Sequence, residues 1–162
     1  MKTIPFLFAA VALAGCSAPQ PKPERPINRA PHVFEAMRFE YDQARSEAFN
    51  FAQRLDAAIF QCDTDARTGS LAVRYSNPQK TAEYSQSLLA CNAHARSEGD
   101  AAIARLKKAG IPERQTELAK QLYAKWSAYL ATISMYSRPD LRAATEYRAA
   151  KEALLTEIKF SQ

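Results

Sequence analysis

The stretch AFNFAQRLDAAIFQC, residues 48–62, carries the pattern that fixes the fold class. Its apolar residues recur at alternating steps of three and four, which is the period of a helix packed in a bundle. Continued toward the N-terminus, this seam predicts a first helix from His32 to Gln61. The seam consists of Phe34, Met37, Tyr41, Ala44, Ala48, Phe51, Leu55, Ala58 and Cys62.

A second helix follows after a break in the pattern. Residues 63–76 lose the apolar period and predict a loop. Ser76-Asn77-Pro78-Gln79 has a serine three residues before a glutamine and a proline in the first turn, which is a capping signature. The second helix is predicted to run to Ala109. Its apolar stripe is weakest around Ser97-Glu98-Gly99-Asp100, where we expect a bend.

Two shorter helices complete the pattern. Gly110 is expected to end the second helix and Pro112 to begin the third almost at once. Ser137-Arg138-Pro139-Asp140 is a further stop, with Asp140 favourable at the start of the last helix. Short connections place neighbouring helices antiparallel, so the sequence predicts an all-α, up-down-up-down four-helix bundle. The expected apolar positions are Leu118, Leu122, Trp126, Tyr129, Ile133 and Tyr136, then Leu141, Tyr147, Leu154 and Ile158.

The N-terminus has the form of a processing signal. Lys2 precedes an apolar run, Ile4 to Ala14, that is shorter than the roughly 20 residues needed to span a bilayer. The run ends in Leu13-Ala14-Gly15-Cys16, which resembles the lipobox of bacterial lipoproteins. The resemblance covers residues 1–17 alone. It implies that residues 1–15 are a signal peptide and that Cys16 becomes the acylated first residue, because two or more acyl chains anchor a protein firmly.

The residues after Cys16 bear on where the protein resides. In many such lipoproteins an aspartate after the cysteine retains the protein at the inner membrane. Ser17 stands there, which implies the outer membrane, facing the periplasm. Residues 16–31 contain five of the nine prolines and predict an extended tether, which leaves residues 32–162 as one helical domain. The prolines are Pro19, Pro21, Pro23, Pro26 and Pro31.

Two cysteines remain once Cys16 is assigned to lipid. The periplasm is oxidising, so Cys62 and Cys91 are expected to form a disulfide, which contributes roughly 3–4 kcal/mol to stability in the chain-entropy model. A metal site is the alternative, because His94 lies three residues after Cys91 and both side chains could face one ion with Cys62.

Signatures of catalysis are absent from the sequence. It has no Gly-x-Ser-x-Gly elbow, phosphate-binding glycine loop or His-Glu-x-x-His motif. Asp63-Thr64-Asp65 resembles the start of a calcium loop, but Thr68 and Arg74 stand where that loop needs glycine and glutamate. We expect neither an enzyme nor a cofactor.

Removal of Lys2 with the signal lowers the formal charge from +5 to +4, and nucleic acid is not an expected partner outside the cytoplasm.

Two surface features are candidates for binding. Phe39 is predicted to lie opposite the seam of the first helix and Phe49 to one side of it, and exposed aromatic residues can mark a partner surface. Alternatively, the tether or residues 63–76 cover them. A basic cluster around Gly110 suits the C-terminus of a helix and could also contact lipid headgroups or an anionic polymer. It consists of Arg105, Lys107, Lys108 and Arg114.

Together these features favour a non-enzymatic interaction protein, anchored to the membrane through Cys16, whose partner is another envelope protein. Secretin pilotins resemble it in architecture alone, as small lipoproteins with a helical, disulfide-bearing domain. Immunity or exclusion lipoproteins fit equally well. A role in cell-wall binding or envelope structure is the second class, although the chain ends in Lys159-Phe160-Ser161-Gln162 and lacks the C-terminal lysine through which some lipoproteins are linked to the wall.

Overall fold

A computed structural model describes residues 39–161, and four α-helices account for most of them. No strand occurs in this range. The predicted all-α, four-helix architecture is confirmed. The first two helices have 28 and 32 residues and the last two have 20 each, so the expected difference in length is confirmed as well. The helices are α1 (Glu47–Arg74), α2 (Pro78–Ala109), α3 (Glu113–Thr132) and α4 (Leu141–Phe160).

Contacts along α1 and α2 show that these two helices are antiparallel. Glu47, at the start of α1, forms an ion pair with Arg105 near the end of α2. Gly69, near the end of α1, packs against Tyr84 near the start of α2. The α1–α2 pair and the α3–α4 pair are the two most extensive helix contacts, and α1 also touches both α3 and α4. α1 is therefore the central helix of the bundle.

The part of the predicted seam that lies within α1 forms the core. Ala48, Phe51, Leu55, Ala58 and Cys62 are all at most 1% exposed. They meet large buried side chains from α3 and α4, which removes a continuous apolar surface from water and supplies the main driving force for folding. These partners include Leu122, Trp126, Leu130, Tyr147 and Leu154.

The predicted start of the first helix is wrong. Residues 39–46 are not helical, and α1 begins only after Ser46, whose hydroxyl accepts a hydrogen bond from the Phe49 amide at 3.2 Å. A serine at this position satisfies an amide that would otherwise have no partner, so it favours a helix start. Tyr41 and Ala44, which the seam placed in the core, are exposed. The earlier part of the predicted helix, 32–38, lies outside the described residues.

The predicted loop at residues 63–76 is also wrong, because α1 continues to Arg74. The buried face changes there from large side chains to small ones, at Ala66, Gly69 and Ala72. A Cβ added to Gly69 would lie 2.9 Å from the Tyr84 Cβ, so the small residues allow α2 to approach closely. Packing of this face against α2 therefore outweighs the low helix propensity of the segment.

The start of α2 differs in detail from the prediction. Asn77, and not Ser76, is the N-cap, and its side chain accepts a hydrogen bond from the Lys80 amide at 3.0 Å. Ser76 instead turns the chain, with a φ of 52°. Pro78 occupies the first turn as expected, and Gly110 ends α2 in the left-handed conformation at a φ of 63°. The helix predicted to end at Ala109 does so.

The weak stripe in the middle of α2 does not interrupt the helix. Residues 97–100 are helical throughout. Gly99 is buried, and a Cβ added to it would lie 3.0 Å from two ring atoms of Trp126. The missing side chain therefore makes room for an indole from α3, and the gap in the apolar pattern marks a helix contact.

The connection between α3 and α4 is longer than predicted. It comprises residues 133–140, since α3 ends at Thr132. Ile133 is buried as expected, whereas Tyr136 is 67% and Leu141 is 76% exposed, so these two predicted core positions are wrong. The Asp140 cap is confirmed, because its carboxylate accepts hydrogen bonds from the backbone amides of Arg142 and Ala143.

The disulfide between Cys62 and Cys91 is confirmed. The Cα atoms are 5.7 Å apart and the bond joins the interior of α1 to the interior of α2. It therefore ties two helices together rather than closing a loop at the end of one. Because both sulfur atoms are bonded to each other, the alternative of a thiolate metal site with His94 is wrong.

The predicted signal peptide, Cys16 and the tether at residues 16–31 lie outside the described residues, as do Phe34 and Met37. Within residues 39–161, no helix is long and apolar enough to cross a membrane.

Candidate functional site

The segment preceding α1 folds back along the outer face of that helix. The Asn50 side chain holds it there. Its amide oxygen accepts a hydrogen bond from the Asp42 backbone amide at 2.9 Å, and its amide nitrogen donates to the Asp42 carbonyl at 2.9 Å and to the Ser46 carbonyl at 3.2 Å. Asn50 is only 2% exposed. A buried amide with this many partners fixes the chain reversal at residues 42–46.

The two aromatic residues predicted to mark a partner surface lie on different elements. Phe39 belongs to the segment before α1, not to a helix face opposite the seam, so that placement is wrong. The Arg54 guanidinium lies 4.4 Å from the centre of the Phe39 ring. Phe49 is on α1, packs against the core and is half-buried, with Arg45 5.3 Å from its ring centre. Both rings thus have cation–π neighbours.

Phe39 and Phe49 line a groove of about 970 Å³ between residues 39–43 and the outer face of α1, which we call the α1 groove. Phe60 lies at its far end and is 74% exposed. Tyr41 is a further aromatic wall residue. Phe60 was not among the residues predicted to mark a partner surface. A signal was available, because Phe49 and Phe60 are eleven residues apart on one helix, which places both on one face outside the seam.

The charged residues of the α1 groove are all acidic. Glu40, Asp42 and Asp56 line it, and no lysine or arginine does among the described residues. Asp56 accepts hydrogen bonds from the Tyr147 hydroxyl at 2.7 Å and from the Lys151 ammonium at 3.0 Å. Burial and the bond to Asp56 raise the pKa of Tyr147. Asp56 therefore joins α1 to α4 as well as contributing to the groove.

The predicted basic cluster is brought together at the turn between α2 and α3. Arg105 lies 3.8 Å from Glu47 and so helps to join α2 to the start of α1. Lys107, Lys108 and Arg114 are exposed, and none forms an ion pair with an acid in the part of the chain that the structure describes. The two lysines lie in the last turn of α2, where positive charge is favourable.

A second groove lies beside this cluster. It has a volume of about 490 Å³ and separates the last two turns of α2 from the first turns of α3, and we call it the α2–α3 groove. Leu106 and Ala119 are buried, and Ile103, Ile111 and Tyr123 are half-buried. Its charged lining residues are Lys107 and Lys120. It combines an apolar lining with positive charge, the reverse of the electrostatic character of the α1 groove.

The buried polar groups of the bundle connect helices to one another. Asp65 accepts hydrogen bonds from Ser87 across the α1–α2 contact and from Gln61, each at 3.1 Å. The Tyr123 hydroxyl donates to Asp100, and partial burial together with this bond raises the pKa of Tyr123 to about 12. In residues 39–161 no three His, Cys, Asp or Glu side chains are grouped so that they could hold a metal ion.

The described residues thus define a disulfide-linked four-helix bundle with two surface grooves of opposite charge. Comparison of the chain with protein-family models, with curated proteins and with solved structures gives no match. Inferences about function therefore start from the chemistry of the two grooves.

Proposed function

We propose that this protein is a non-enzymatic interaction protein of the bacterial outer membrane, anchored through acylated Cys16, which binds another envelope protein in the α1 groove. The observation that carries the proposal is the groove itself, with Phe49 and Phe60 on the α1 wall, Phe39 on the opposite wall and carboxylates beside them. Aromatic side chains supply large contact area and are enriched among the residues that dominate binding energy.

The charge of the α1 groove indicates the chemistry of the partner. With Glu40, Asp42 and Asp56 in its lining, the groove suits a segment that presents apolar side chains together with lysine or arginine. Arg54 and Arg45 lie on the aromatic rings and keep them in place, so these arginines are already engaged. Asp42 and Asp56 are themselves paired with Arg45 and Lys151, so Glu40 is the lining carboxylate that a partner's cation would face.

The anchor is tested first, because it determines where the protein meets its partner. Replacement of Cys16 by serine removes the thiol that is acylated, so the acylated mature form is expected to disappear from the outer-membrane fraction. Mass spectrometry of the wild-type mature protein should show an N-terminal cysteine carrying a diacylglyceryl group. A mature N-terminus elsewhere in the chain would contradict the lipoprotein assignment.

The partner is tested by site-specific photo-crosslinking in cells. A photoreactive amino acid at Phe60 should yield a discrete crosslinked product that mass spectrometry identifies. The matched control is Leu89, which is 68% exposed on α2, away from the α1 groove, and should yield none. Phe60→Glu is expected to abolish binding of the identified partner, and Leu89→Glu to leave it intact. Equal crosslinking at both positions would contradict the proposed site.

Genetic tests separate the narrower roles. Failure of an outer-membrane channel to assemble in a deletion strain would indicate a pilotin-like role. A growth defect that appears only when a rival strain delivers a toxin would indicate immunity. Retention of the purified domain by isolated cell wall, unchanged in the Phe60→Glu variant, would instead favour a structural role in the envelope.

A further inference from the structure

The α2–α3 groove lies at the end of the bundle where the start of α1, the end of α2, the start of α3 and the end of α4 meet. α2 ends at Ala109 and α3 begins at Glu113. α4 runs back along α3, has the same length of 20 residues and ends at Phe160. The Glu47–Arg105 ion pair places the start of α1 there too. We call this end of the molecule the basal end.

Three exposed cations at the basal end make no ion pair within the described part of the chain. Lys107, Lys108 and Arg114 surround the Gly110 turn, are exposed and make no ion pair with any acid between residues 39 and 161. Glu113 lies next to Arg114 in the chain and is the acid closest to the turn in sequence. The local excess is therefore two positive charges within eight residues, 107–114.

Apolar surface accompanies this charge. The α2–α3 groove is lined by Ile103 and Ile111, with Leu106 and Ala119 behind them, and contains no acidic residue among its described lining. Phe160 is 84% exposed at the end of α4. Apolar groups flanked by cations are the pattern that binds at the boundary between lipid headgroups and acyl chains.

We propose that the basal end docks on the surface of an anionic phospholipid bilayer, with Lys107, Lys108 and Arg114 at the headgroup phosphates and the α2–α3 groove receiving the apolar part of the lipid. A bilayer presents phosphates directly above hydrocarbon, which matches cations beside an apolar groove. An acidic protein segment would match the charges as well, and the experiment below distinguishes the two.

The position of the proposed anchor is compatible with this orientation. Cys16 precedes Phe39 by 23 residues, and a chain of that length spans at most about 80 Å. The basal end can therefore reach the membrane that holds the acyl chains. This contact is made by the folded domain itself, so it can be tested without acylation.

The test uses the mature chain, residues 16–162, with Cys16→Ser so that no acyl chain is present. It is expected to sediment with vesicles of phosphatidylethanolamine and phosphatidylglycerol at 3:1, and not with vesicles in which phosphatidylcholine replaces the phosphatidylglycerol. The triple variant Lys107→Gln, Lys108→Gln, Arg114→Gln should bind the anionic vesicles on the order of 100-fold more weakly, at about fivefold for each cation.

A matched control removes the same charge elsewhere. Arg74, Arg138 and Arg148 are exposed and lie outside the basal end, and their replacement by glutamine should leave vesicle binding unchanged. Equal loss in both triple variants would overturn the proposal, because it would show a dependence on net charge alone. Equal binding to both vesicle types would also overturn it. Absence of binding to either would overturn it and leave an acidic protein segment as the occupant.

The groove itself is tested by methyl NMR with spin-labelled lipid in anionic nanodiscs. The Ile103 and Ile111 methyl signals should broaden, whereas those of Ile59 and Ile133 in the core should not. Uniform broadening, or none at Ile103 and Ile111 while the domain is bound, would show that the groove does not receive lipid.

Discussion

The indole Nε1 of Trp126 donates a hydrogen bond to the backbone carbonyl of Leu55 at 2.9 Å, in the centre of the bundle. Both residues are at most 1% exposed. The bond joins α3 to the first half of α1, and the ring of the same indole packs against Gly99 of α2. One side chain thus sets the relative positions of three helices.

Gly99→Ala is expected to destabilise the protein even though alanine favours helices over glycine by about 1 kcal/mol. The added Cβ would lie 3.0 Å from two Trp126 ring atoms and 3.1 Å from Tyr123. Trp126 is fully buried and hydrogen-bonded, so it cannot move aside. Overpacking should lower the free energy of unfolding by about 1–2 kcal/mol net, measured by urea denaturation.

A double-mutant cycle locates the cause of that loss. Trp126→Phe alone should cost roughly 2–3 kcal/mol through the lost volume and the lost hydrogen bond. In the Trp126→Phe background, Gly99→Ala should lower the free energy of unfolding by about 1 kcal/mol less than in the wild type, since the clashing ring atoms are gone. Strict additivity of the two substitutions would contradict the assigned contact. Ser97→Ala, at an exposed position on α2, is the control and should be close to neutral.

Loss of the disulfide is expected to lower stability without unfolding the bundle under mild conditions. The double variant Cys62→Ala, Cys91→Ala removes a bond between residues separated by 29 positions, which corresponds to about 3–4 kcal/mol. Urea denaturation of oxidised wild type, reduced wild type and the variant provides the measurement. The two proteins without the bond should have similar midpoints, both well below that of the oxidised wild type. Identical midpoints for all three would show that the bond contributes nothing.

Asn50→Ala is expected to release residues 39–45 while leaving the four helices in place. The substitution removes every side-chain hydrogen bond between Asn50 and the Asp42–Ser46 reversal. Hydrogen exchange at the Asp42 amide should accelerate by at least tenfold, whereas the amides of core residues in α3 should be unaffected. Because the α1 groove needs residues 39–43 as a wall, crosslinking from Phe60 should fall as well.

The outcome that would contradict this prediction is unchanged exchange at Asp42. Gln53→Ala is the matched control, since Gln53 also lines the α1 groove and makes no hydrogen bond to residues 39–46 in the described structure.

Partial burial of the Tyr123 hydroxyl, together with its bond to Asp100, makes stability depend on pH at the alkaline end. The pKa of Tyr123 is raised from 10 to about 12 in the folded protein. A raised pKa contributes stability that is fully present below pH 10 and is lost as the pH rises toward 12, because the unfolded tyrosine releases its proton first. Tyr123→Phe lacks this ionisation, so the stability of the wild type relative to Tyr123→Phe should fall between pH 10 and 12. A difference that is constant across this range would contradict the assignment.

Local signals in the sequence were sufficient for several features. Gly110 ends α2 because glycine adopts the left-handed conformation without a steric penalty. Asp140 caps α4 because its carboxylate accepts hydrogen bonds from backbone amides that have no partner within the helix. The pairing of Cys62 with Cys91 followed from the cysteine count once Cys16 was set aside. Each of these depends on neighbours in the chain or on composition, which the sequence displays directly.

The features that were predicted incorrectly depend on contacts distant in sequence. The reversal at residues 39–46 is held by Asn50, a residue that sequence alone places on a helix without indicating what its amide binds. Residues 63–74 stay helical because their small side chains meet α2. The position of Phe39 over the outer face of α1 follows from that same reversal, so the α1 groove could not be anticipated, although the spacing of Phe49 and Phe60 already placed both on one face of the helix.

The sequence by itself determined four helices, the caps at Gly110 and Asp140, the core seam from Ala48 to Cys62 and the disulfide, since periodicity and capping chemistry are local. Tertiary structure alone decided where α1 begins, how close α2 approaches it and where the grooves lie. The physical reason is that packing between helices stabilises segments whose own propensity is poor, and that a groove exists only between elements already assembled.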